Sequence, residues 1–212
     1  MKKEIALIAT AALAVTIFAA GNTLAFLTDK GEVNNVVTMG NVAIELKEPQ
    51  FESSTGGKYS VEFMPGDKIT EDPTVKNVGL NDAYIRCKIS VENVSALPWG
   101  GGLTSQEQDQ LLQALNIDSN KWVRSSDGYY YYQQPLLKAA SGQDPAVLFD
   151  TVQIPTCWGS SSYPINNVQF HINISAEAIQ ADNFKQSVDH NGKIDGWNYS
   201  NGSAVQVESS HP

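Results

Sequence analysis

From residue 42 onward, apolar and polar side chains alternate along much of the chain. In "NVAIELKEP", Val42, Ile44 and Leu46 share one face, with Ala43, Glu45 and Lys47 on the other. "YSVEFMPGD" places Tyr59, Val61 and Phe63 in phase and stops at Pro65-Gly66. "PTVKNVGLNDAYIRCKISVEN" reads as two runs joined by a hairpin-type break at "NVGLND". "AVLFDTVQIP" supplies another short strand, and "VQFHINISAEAI" sets Val168, Phe170, Ile172 and Ile174 against Gln169, His171, Asn173 and Ser175. A period of two with one apolar face predicts antiparallel strands, half-buried against each other. Several of them, separated by turn residues, predict an all-β sandwich. One segment departs from this period. "TSQEQDQLLQALNI", residues 104–117, spaces Leu111, Leu112 and Leu115 for a helix, with Thr104 or Ser105 as its cap and Glu107 or Gln108 three residues on. It predicts a helical arm inserted between two strands.

The first 25 residues follow a different pattern. Lys2 and Lys3 precede sixteen uncharged residues, Ile5–Ala20, and then come Gly21-Asn22 and Thr23-Leu24-Ala25. A basic start, an apolar core and a small-x-small end describe a secretory signal peptide. The run is short of the roughly 20 residues that a spanning helix needs. Cleavage is expected after Ala25, so that Thr23, Leu24, Ala25 and Phe26 flank the cut, and the membrane is involved only through the uncleaved segment. The domain organisation that follows is a signal peptide at 1–25, a β-sandwich at 26–184 and a polar tail at 185–212.

The segment behind the cut, "FLTDKGEVNNVVTMG", makes a weak strand by itself, interrupted by Asp29, Lys30, Gly31 and Asn34-Asn35. Phe26, Leu27, Val33, Val36 and Val37 nevertheless offer apolar side chains to a partner. Residues 26–38 are therefore a candidate assembly strand that could enter the open sheet edge of another copy. The other outcomes are a disordered lead or pairing within its own domain.

Charge narrows the partners. Without Lys2, Lys3 and Glu4 the chain carries 12 basic and 22 acidic side chains, a formal charge of −10. Its lysines and arginines do not cluster, so nucleic acid is not an expected partner. Outside the cell the two cysteines, Cys87 and Cys157, are permitted to bridge. Cys87 is in phase with Ile85, Ile89 and Val91 and should face inward. A Cys87–Cys157 disulfide and two free thiols both remain open.

Catalytic motifs are not found. The three histidines, His171, His190 and His211, form no metal-ligand spacing, and no catalytic residue, metal site or cofactor is expected. "DHNGKIDGW" has Lys193 where a calcium loop needs an oxygen donor, and it reads as an Asn-Gly turn followed by an Asp-Gly turn. "DGYYYYQQPLL" is the most unusual stretch. On a strand, Tyr129, Tyr130, Tyr131 and Tyr132 place two rings on each face, so the outward pair is a candidate contact patch. Cross-strand aromatic packing on a half-covered face is the plainer alternative.

Taken in order, "TLAFLTDKGEVNNVVTMGNVAIEL", "FMPGDKITEDPTVKNVGLNDAYIRCKI", "KWVRSSDGYYYYQQPL" with "LFDTVQI", and "NISAEAIQADNF" resemble the TasA/camelysin family of secreted Gram-positive proteins, which includes spore-coat-associated members. The matching positions are Ala25, Phe26, Leu27, Thr28 and Asp29 at the cleavage region, and Gly40, Asn41, Val42, Ile44 and Leu46 in the first strand. Pro65, Gly66 and Asp67 match the turn after it, and Asn77, Gly79 and Arg86 the segment that follows. The resemblance implies a jelly-roll-like sandwich, processing by a SipW-type signal peptidase, and a place in the extracellular matrix or on the cell or spore surface. It further implies a biofilm fibre subunit, or an accessory to one, whose partners are itself or related subunits. Some members carry a metallopeptidase label, so a secreted peptidase is one alternative. A polysaccharide-binding adhesin using the tyrosine run is another.

Overall fold

The computed structural model describes residues 25–28, 37–39, 42–50, 60–93, 102–158, 168–182 and 184–199, and strand is their chief regular structure. In chain order the strands are β1 (Ala25–Thr28), β2 (Val37–Met39), β3 (Ile44–Lys47), β4 (Ser60–Phe63), β5 (Lys68–Thr70), β6 (Thr74–Asn77) and β7 (Ala83–Asn93). A helix, α1 (Ser105–Gln113), follows, and then β8 (Trp122–Arg124), β9 (Tyr130–Tyr132), β10 (Ala146–Val147), β11 (Thr151–Gln153), β12 (Gln169–Gln180), β13 (Phe184–Val188) and β14 (Ile194–Tyr199). The fold is all-β, built from several sheets.

The large sheet runs β4-β1-β12-β7-β9-β8, with β2 also on β12. Its spine is the antiparallel pair β7–β12, in register from Phe170↔Asn93 to Gln180↔Ala83. Both strands keep the period expected of them. Ala83, Ile85, Cys87 and Ile89 of β7, and Phe170, Ile172, Ala176 and Ala178 of β12, enter one buried cluster. The same cluster takes Ile44 and Leu46 from β3, Val75 from β6 and Ala146 from β10, which form a three-stranded sheet, and Ile69 and Val152 from the pair β5–β11. The main core thus lies between the large sheet and these smaller ones. Trp122, only 1% exposed, ties the layers by donating from Nε1 to the Val147 carbonyl at 2.8 Å.

Three expectations change here. The large sheet is not purely antiparallel, because β1 and β2 both lie parallel to β12. The break at "NVGLND" does not make a hairpin: β6 and β7 belong to different sheets, and the chain crosses from one layer to the other. Asn77 directs the crossing. Its side-chain oxygen accepts from the Gly79 N–H at 2.9 Å, and its amide donates to the carbonyls of Asn81 and Leu136. Gly79 is needed for close approach, since a Cβ there would sit 2.7 Å from the backbone nitrogen of Ala43. Finally, the helix inserted between β7 and β8 is shorter than 104–117, and it lies on the core. Thr104 caps it with Glu107 in a reciprocal capping box. Leu103, Leu111 and Leu115 are buried in the main core, and the Trp158 indole N–H donates to Gln110.

Candidate functional site

The N-terminal seam carries the expected processing and assembly residues. Thr23, Leu24, Val33 and Val36 lie outside the described residues, while Ala25, Phe26 and Leu27 are in β1 and Val37 opens β2. The backbone of β1 pairs antiparallel with β4, Ala25↔Phe63 to Thr28↔Ser60, and parallel with β12, Phe26↔Gln169 and Leu27↔Phe170. Farther along β12, β2 pairs Val37↔Glu177, Thr38↔Ala178 and Met39↔Ile179. Of the outcomes open for residues 26–38, the structure has the described parts pairing within their own domain. The strand that begins at the expected cut is an interior strand of the large sheet.

The second assembly of residues sits on the opposite face of that sheet from the main core. On β7 the side chains between Ile85 and Cys87, and between Cys87 and Ile89, must point away from the core. Arg86 does so, yet it is 8% exposed, and Glu177 of β12, its direct cross-strand neighbour, is 6% exposed. Arg86 Nε and Nη2 both donate to Glu177 Oε2, at 2.8 and 2.6 Å. Its Nη1 donates to the Tyr131 hydroxyl at 2.8 Å, and that hydroxyl donates to Asp127 at 2.8 Å. The Tyr129 hydroxyl donates to the other Glu177 oxygen at 2.9 Å. Around the guanidinium stand the rings of Tyr129, 3.9 Å from its carbon, and Trp197, at 4.6 Å. All three guanidinium nitrogens and both carboxylate oxygens thus find partners, which is how a buried ion pair is made tolerable. Burial alone would lower the Arg86 pKa, but the facing Glu177 and the bond to Tyr131 outweigh it and raise it above the ordinary value. Burial pushes the Tyr131 hydroxyl up to about 12, with the Arg86 bond opposing and the Asp127 bond assisting.

The four tyrosines divide two and two. Tyr130 and Tyr132 pack against the main core, whereas Tyr131 is buried and Tyr129 half-buried in a second cluster with Ile179, Ile194 and Trp197. None of the four is exposed, so they do not form an open contact patch. The reason is the segment read as a polar tail from 185. Residues 184–199 are the hairpin β13–β14, in register from Phe184↔Tyr199 to Ser187↔Gly196 with a one-residue shift before Val188↔Ile194, and it covers the outward pair. Its turn is built by Asp189, whose Oδ1 accepts from the Asn191 and Lys193 N–H groups while Gly192 takes φ +73°. Residues 200–212 lie outside the described residues.

Comparison with family models, with curated proteins and with solved structures gives no match. Among the described residues, no group of three or more His, Cys, Asp or Glu side chains is placed to hold a metal ion.

Cys87 and Cys157 are not joined. Cys87 is buried on the core face of β7, Cys157 is exposed in the turn before Trp158, and both are free thiols. Burial, aided by the charge of Glu177, raises the Cys87 pKa far above the ordinary thiol range. A buried thiol held in its neutral form is a poor nucleophile. The native chain should therefore show one rapidly labelled thiol, Cys157, with Cys87 reacting only on unfolding. Mass mapping of a pulse with an alkylating reagent checks this, and no fast thiol at all would mean that the two are bridged.

The outward-facing cluster was the harder feature to anticipate. The signal available in the sequence was a charged residue of each sign, Arg86 and Glu177, on the polar phase of two long strands, with aromatic residues on a third segment.

Proposed function

We propose that the protein is a secreted structural subunit of an extracellular matrix, a biofilm fibre or a coat, a jelly-roll-like sandwich that assembles by strand exchange after a SipW-type signal peptidase cuts before Phe26. The observation that carries this reading is the position of β1. It follows directly on the apolar lead, and it fills a place between β4 and β12 through main-chain bonds on both sides. A strand held by its backbone on both edges can be replaced by the same strand from another copy, because main-chain pairing does not depend on which chain supplies it. If each subunit donates forward, the contact is heterologous and grows a filament. Pairing of β1 within its own chain is then the closed monomer, and exchange is the step that opens it.

The test compares a chain starting at Phe26 with one starting at Gly40, by electron microscopy and sedimentation. The shorter chain should stay folded and monomeric, and should bind an added peptide covering residues 26–38. Polymerisation of both chains to the same extent would end the strand-exchange reading.

A further inference from the structure

We propose that the hairpin β13–β14 is a hinged cap, which opens as a unit from an otherwise folded domain and uncovers the Arg86–Glu177 pair with its two tyrosines. The hairpin forms a two-stranded sheet of its own and adds no strand to the large sheet. An isolated two-stranded hairpin has little stability in water, so this one is held by what it docks against. Its hold on the sheet runs through a few side chains. The Gln133 carboxamide binds the Ile194 backbone at both ends, accepting from its N–H at 2.9 Å and donating to its carbonyl at 3.0 Å. The Trp197 ring stands edge-on to Tyr131, with centroids 5.8 Å apart, and covers the Arg86 guanidinium. Ile194, 5% exposed, and Trp197, 4% exposed, fill the small cluster from above, and Tyr131 and Ile179 fill it from below.

Against this stand unpaired buried groups within the hairpin itself. Trp197 Nε1, Gln186 Nε2 and Asp195 Oδ1 are buried without a hydrogen-bond partner, and all three belong to the hairpin. Gln186 and Trp197 are directly paired across β13 and β14, so their unpaired donors lie on one face. Each such group would regain water on opening, which favours the open state. What opening reveals is a mixed surface, with Ile179 and the tyrosine rings beside the ion pair. Arg86 keeps Glu177, Tyr131 and the ring of Tyr129, so the sheet face beneath remains hydrogen-bonded and paired in charge. Few apolar contacts, side-chain docking and unpaired buried groups are the marks of a low-stability, separately opening unit.

Native-state hydrogen exchange, followed by NMR or by mass spectrometry of proteolytic fragments, tests the proposal on the full secreted chain. Amides of β13 and β14 should share one opening, with less surface exposed and at least about ten-fold faster exchange than amides of β7 and β12. Trp197→Ala and, independently, Gln133→Ala should each speed hairpin exchange on the order of ten-fold while β7 and β12 change by less than about two-fold. Gln133→Ala removes the two bonds to Ile194 and one local bond to the Tyr131 carbonyl, and it keeps the test alive if loss of the indole unfolds the chain. Exchange of the hairpin only through the opening that also exposes β7 and β12, or equal acceleration of both by Gln133→Ala, would overturn the proposal.

Discussion

Replacing Glu177 by Ala should lower the unfolding free energy by about 3–5 kcal/mol, because it leaves a buried cation without its counter-ion. Arg86 cannot escape by losing its proton. It would retain the Tyr131 hydroxyl, the aromatic rings and Asp127, whose Oδ2 is 3.7 Å from Nη1. None of these replaces two hydrogen bonds to one carboxylate oxygen at 2.6 and 2.8 Å. The Tyr129 hydroxyl would lose its acceptor as well. Urea denaturation should show the loss as a lower midpoint with an unchanged slope. The double replacement Arg86→Met with Glu177→Leu should be distinctly milder than either Arg86→Met or Glu177→Leu alone, since no orphan charge remains. If the double variant is as damaged as the sum of the two singles, the pair is not the unit described here.

The same residues show where reading the sequence succeeds and where it stops. Alternation in "AYIRCKISV" and "VQFHINISAEAI" was sufficient to orient β7 and β12, because half of each strand faces a large apolar core and the period of two is enforced by burial. The cap of α1 was legible for a local reason, as Thr104 and Glu107 satisfy each other within one turn. The second face was not legible. Arg86 and Glu177 stand on the polar phase, where a charged residue ordinarily meets water, and only pairing with each other lets them be buried. The hairpin that covers them offers no alternating run: "FKQSV" and "IDGWNY" bury Ile194 and Trp197 and little else apolar. Its Trp197 finds its partners on strands far away in sequence. Spacing could not reveal that β6 and β7 separate into two layers either, since this depends on Asn77 reaching Leu136 across 59 residues. The assembly strand was half legible. Its apolar residues and its interruptions were plain, but parallel pairing to β12 is a long-range choice that local pattern does not encode.

Phe170→Ala should be the second severe change, at about 3–5 kcal/mol for a fully buried aromatic ring. Phe170 has 0% exposure and meets Phe63 edge-on at 5.5 Å and Trp158 at 6.3 Å between centroids. Its position gives the change a further consequence. Phe63 is on β4 and Phe170 on β12, the two strands on either side of β1. Two strand spacings separate them, roughly 10 Å of backbone. The ring contact therefore bridges the place that β1 fills, so β4 is tied to β12 twice, once through the backbone of β1 and once through Phe63–Phe170. Removing either tie should leave the other in place, and removing both should free β4. The chain beginning at Gly40 should accordingly keep a receptive slot only while Phe170 is present. Stability of four chains, with and without residues 26–39 and with and without Phe170→Ala, closes the cycle. The two changes should couple by about 0.5–3 kcal/mol, the range for groups that share a partner. Simple additivity would mean that β4 is held by something other than these two ties, and the slot between β4 and β12 would not then depend on the ring pair.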